Sequence, residues 1–204
     1  MTSGNGRSLL ELIDGADERG LAAAGLACLD RCLPLLAGDR GEALRPVWAA
    51  VARGDGNAWG EAVAKARIEL DVDGTEGAGA VVGPLTAGAV TGLSAAGAVR
   101  GMLVAAPDAW AAGELRAWAH ACSAGALALH GRYDAAEVSD GLVERCRAGD
   151  ADGAGPLLAG ELRRQQAVLE SVAHGPTGLR RARELSVEGG RVLRAVVSRR
   201  ARTA

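Results

Sequence analysis

EALRPVWAAVARGDGNAW, residues 42–59, decides the fold class. Leu44, Val47, Trp48 and Val51 recur at spacings of three and four, the period of a helix with one apolar face. Gly54 follows, and glycine accepts the left-handed conformation that ends a helix. Asp55 or Asn57 then offers a side-chain oxygen to the first free amides of a second helix. A stop and a cap this close together specify an antiparallel helix hairpin. The same pair recurs at Ala37-Gly38-Asp39 and Ala148-Gly149-Asp150. The intervals are irregular, so the three share turn chemistry and do not form a repeat.

The reading extends in both directions. Ser8 with Glu11 makes a capping-box start for a first helix. A second is expected over about 17–37, with Leu21, Cys28, Leu29, Cys32, Leu33 and Leu36 on one stripe and Pro34 bending its last turn. The hairpin supplies the third, 42–53, and the fourth, to about 70. Gly83-Pro84 opens a fifth to about 106, and Pro107-Asp108 a sixth to about 130. Asp134 with Glu137 opens a seventh to about 148, and Gly155-Pro156 an eighth to about 174. A last helical region runs from 178 to about 200. Ile68-Glu-Leu70-Asp-Val72 alternates, but so short a run makes no sheet. The expectation is an all-α, single-domain bundle of eight or nine helices, mostly antiparallel hairpins. Residues 1–176 form its core, and 177–204 a basic helical segment packed on it.

Composition agrees. Of 204 residues, 49% are hydrophobic and 24% charged, which excludes a disordered chain. No apolar run of signal-peptide length precedes Glu11, so a cytoplasmic location is expected. Gly77–Val99 is uncharged and long enough to span a bilayer. Its glycines and alanines, with Pro84, insert poorly, so no membrane is expected. Formal net charge is −2, but residues 163–204 carry ten arginines against three glutamates. That segment is +7 and the rest of the chain −9.

Motifs for known chemistries are missing. The glycines of 77–83 lack the preceding strand of a dinucleotide fold. Lys65 is the only lysine, which removes the phosphate-binding loop. Asp71, Asp73 and Glu76 do not match a calcium loop, whose sixth and twelfth places fall on Glu76 and Val82. Cys28 and Cys32 share a helix face without further ligands nearby, and read as core residues. His130 and His174 stand at expected helix ends, where a cation is favourable. His120 lies mid-helix and reads as a core histidine, with catalysis as the alternative. No metal or cofactor is expected, and the chain leans away from being an enzyme.

Two constellations remain. Trp110 and Trp118, eight apart on the expected sixth helix, point to an apolar ligand pocket between helices, with His120 and Tyr133 nearby. The second is the arginine group Arg180, Arg181, Arg183, Arg191, Arg194, Arg199 and Arg200, suited to oxyanions. Residues 182–196 resemble a helix-turn-helix segment in the placing of Ala182, Leu185, Val187, Val192 and Val196, which implies DNA as partner. Ser186 departs from it by standing where glycine makes the turn. The leading expectation is a non-enzymatic helical binding or regulatory protein holding an apolar small molecule or a protein partner, with a homodimer among the assemblies considered. The alternatives are a nucleic-acid-binding transcriptional regulator using the C-terminal arginines, and an enzyme with a pocket around His120.

Overall fold

A computed structural model describes residues 6–36, 42–70, 88, 90, 92–135 and 138–203. Among them are nine α-helices and no strand, so the all-α class holds. They are α1 (Leu9–Asp14), α2 (Glu18–Cys32), α3 (Arg45–Arg53), α4 (Gly56–Glu69), α5 (Ala95–Val104), α6 (Ala112–Arg132), α7 (Leu142–Ala148), α8 (Pro156–Val172) and α9 (Pro176–Ala201). A 3₁₀ turn, Leu33–Leu35, follows α2 where Pro34 denies the helix a donor.

Local chemistry accounts for most helix ends. Ser8 Oγ accepts from Glu11 N at 3.2 Å and Glu11 Oε2 accepts from Ser8 N at 2.7 Å, a closed capping box. Asp17 caps α2 and Asp55 caps α4. Gly54 and Gly149 adopt φ 64° and 106°, so two of the three glycine stops turn as expected. The third, at Gly38, lies outside the described residues, as do the glycine-rich loop at 77–83 and the Gly83-Pro84 start of the fifth expected helix.

Three expectations are corrected. Residues 107–111 do not begin a helix, because Trp59 Nε1 donates to Pro107 O at 2.7 Å and Arg67 pairs with Asp108 at 2.7 Å. These bonds hold the segment as a loop before α6. Asp134 does not open α7, which starts at Leu142 after a left-handed Gly141. Its Oδ2 instead accepts from Leu157 N and Leu158 N at 2.9 and 2.8 Å, capping α8 from across the fold. Leu70 closes α4 where the sequence placed its end, so the alternating run begins inside that helix. The helix-turn-helix likeness of 182–196 also fails, since α9 is one continuous helix of 26 residues. Gly189 and Gly190 do not break it because their bare faces let the helix sit directly on α2 and the 3₁₀ turn, against Arg31 and Pro34.

The core is built around α2, which packs on α6, α8 and α9. Ala22, Ala23, Ala24 and Ala27 are buried with Leu21, Leu26 and Leu29, so α2 is apolar nearly all round, as a central helix must be. No helix among the described residues is long and apolar enough to cross a membrane.

Candidate functional site: an arginine-lined cleft

The residues expected to line an apolar pocket are not gathered in one place. Trp118 is buried on α6 and donates to Met102 O at 2.9 Å. Trp59 packs edge-to-face on both Trp110 and Trp118, with centroids 5.5 and 5.6 Å apart. The three rings thus tie α4, the loop before α6, and α6 into the core. Trp110 precedes α6 and is not on it. His120 points elsewhere, to Asp14 Oδ1 at 2.9 Å and Arg147 Nη2 at 3.0 Å. The guanidinium only donates, so Nδ1 accepts and Nε2 carries the proton toward Asp14. Both ring nitrogens are engaged, and His120 is a partly exposed interhelical tie, not the core histidine expected. Tyr133 lies 15 residues beyond Trp118, about 22 Å along the helix axis. There the Arg200 guanidinium stands 5.8 Å from its ring centre.

His130 stands in the last turn of α6, as expected, but it is buried. Its Nδ1 donates to Ala126 O at 2.7 Å, and its Nε2 lies 3.5 Å from Glu161 Oε2. Glu161 is the centre of a buried polar group. Arg31 Nε and Nη2 donate to it at 2.8 and 2.6 Å, and Gln165 Nε2 at 2.9 Å. Burial pushes the Glu161 carboxyl up, but the Arg31 charge and these hydrogen bonds outweigh it and leave it below the usual range. Burial pushes His130 down, so it is held neutral. Cys28, 3.5 Å from Arg31, is pushed up to about 12 by burial and stays a thiol. A cavity of about 10 Å³ adjoins Arg31, Ser123 and Gln165. That is the room of one water. This group is sealed in the core, and its role is structural. A charged residue on the apolar stripe of α2, Arg31 between Cys28 and Cys32, was the sequence signal for it.

The accessible chemistry lies on the other side of α2. A cleft of about 200 Å³ opens between α9, the 3₁₀ turn and α3. Arg45, Arg183, Arg191 and Arg194 line it, with Asp30 and Trp48 at one wall. At about 100° per residue, Arg180, Arg183, Arg191 and Arg194 fall within about 80° of each other on α9. Among the described residues, Arg183, Arg191 and Arg194 make no hydrogen bond or ion pair; Arg45 meets Glu42 at 3.4 Å on the exposed rim. Asp30 Oδ2 accepts from Trp48 Nε1 at 2.9 Å. Burial raises the Asp30 carboxyl above its usual range, although the Trp48 hydrogen bond, Arg31 and Arg183 pull it down.

The remaining expected arginines are dispersed. Arg181 pairs with Glu184 at 3.4 Å. Arg200 donates to Asp134 O and Arg132 O at 2.7 and 3.1 Å, fastening the end of α9 to the loop after α6. Arg199 is exposed on a different face from the cleft. Arg45, Asp30 and Trp48 were missed in the sequence because they lie far from the basic segment along the chain. Among the described residues no group of three His, Cys, Asp or Glu can hold a metal ion. No protein-family profile, curated protein or solved structure matches this chain.

Proposed function

We propose that the protein is a non-catalytic binding protein that holds a small anionic ligand in the arginine-lined cleft of α9. The observation that carries this reading is that four guanidinium groups share one cleft with a single carboxylate, and three of them make no hydrogen bond or ion pair among the described residues. Like charges held together on rigid helices repel, and an oxyanion relieves that repulsion through forked hydrogen bonds. Catalysis has less support, because His120 has both nitrogens engaged and the four cysteines are buried. The apolar pocket has less support than the cleft, because Trp118 and Trp59 spend their faces on each other and on the core.

Equilibrium titration with pyrophosphate tests the proposal. Binding should be saturable, weaken at high salt, and fall at least tenfold in Arg191→Ala/Arg194→Ala while the Arg181→Ala affinity is unchanged. Unaltered affinity in the double variant rejects the cleft. If a duplex or single-stranded oligonucleotide binds far more tightly, with a steep salt slope lost in the same variant, the nucleic-acid reading replaces the small anion.

A further inference from the structure

The cleft is not uniformly basic, and the exception points to the chemistry of its ligand. Asp30 sits at the end of α2 and lines the same cleft as Arg183, Arg191 and Arg194. One of its oxygens is taken by Trp48 Nε1, while Oδ1 makes no hydrogen bond among the described residues. Leu33, Pro34 and Val187 form an apolar wall within it, and Val187 is 44% exposed.

A simple oxyanion has no use for this arrangement. A half-buried carboxylate repels an anion, and a cleft meant for phosphate alone is better served by a neutral residue in its place. The cleft thus displays cationic donors, a lone anionic acceptor and an apolar stretch. Resting on the anion-binding reading above, we infer that the ligand is an amino-bearing organic anion. Its anionic group lies among Arg183, Arg191 and Arg194, its N–H donor meets Asp30 Oδ1, and its carbon skeleton lies on Pro34 and Val187. Asp30 is then a specificity-determining residue.

A matched pair of probes tests this. Phosphoethanolamine and ethyl phosphate share the phosphate ester and differ by one ammonium group. The intact protein should bind phosphoethanolamine at least tenfold more tightly, the ratio one hydrogen bond between charged groups supplies. Asp30→Asn retains an oxygen for Trp48 and should bring the ratio to about one, with ethyl phosphate bound no more weakly than before. Asp30→Ser gives the same comparison where the first variant lacks the native tryptophan emission. Equal binding of the two probes by the intact protein overturns the inference and leaves the anion reading standing. A preference that survives both substitutions also overturns it. If ethyl phosphate and phosphoethanolamine both fail to bind, the anion reading itself falls.

Discussion

Arg31 Nη2 lies 2.6 Å from Glu161 Oε1, and neither side chain exposes any surface. The two residues are 130 positions apart, on α2 and α8, and each removes the other's uncompensated charge from the core. Desolvating such a pair costs about as much as its attraction returns, so its main effect is to make one packing of these helices the only tolerable one.

Glu161→Gln should therefore be severe for so conservative a change. It leaves Arg31 charged, buried and without its counter-ion, at a cost of about 3–5 kcal/mol. Arg31→Met combined with Glu161→Leu should be milder than Glu161→Gln alone, because no charge is stranded. Urea denaturation of the three proteins checks the order.

Stability should fall on acidification in two stages. His130 is neutral in the folded protein with its basicity lowered by burial, while in the unfolded chain it titrates near its ordinary 6.5. Below that pH the unfolded state takes up the proton first and gains population. Glu161 is likewise held below its ordinary 4.5, so its contribution is complete above that pH and is lost as pH falls further. Melting temperature should decline from about pH 6.5 and again below about pH 4.5. His130→Asn should flatten the first decline and leave the second.

Gly25→Ala should destabilise although alanine favours a helix by about 1 kcal/mol. A Cβ at Gly25 would stand 2.5 Å from the Trp118 ring, closer than real contacts allow. The ring would have to leave its place against Trp59, at a cost of about 1–3 kcal/mol. A lowered unfolding midpoint with altered native tryptophan emission is the expected result; unchanged values would show that α2 and α6 separate freely.

The clearest sequence signals were those whose partners lie within four residues. Ser8 with Glu11, and Gly54 with Asp55, behave as their spacing implies, because a cap and the amides it satisfies are neighbours in the chain. Asp134 shows the limit. Its spacing from Glu137 suggested a local start, yet its carboxylate serves amides more than twenty residues ahead. Trp110 misled similarly, since α6 starts only at Ala112, and His130 stands in the last turn as expected but is buried by distant packing.

The sequence alone determined that this chain is all-α, where most hairpins turn, and that its basic charge is concentrated near residue 204. Those properties follow from helical period, glycine stops and composition, which need no knowledge of distant contacts. The tertiary structure alone decided which arginines share a cleft, which are used on Tyr133 and Glu184, and that Asp30 and Arg45 join the first group. It also decided that 182–196 lies within one continuous helix. The physical reason is that side chains far apart in sequence meet through packing, and the bare face of Gly189 lets α9 lie directly on Arg31 of α2.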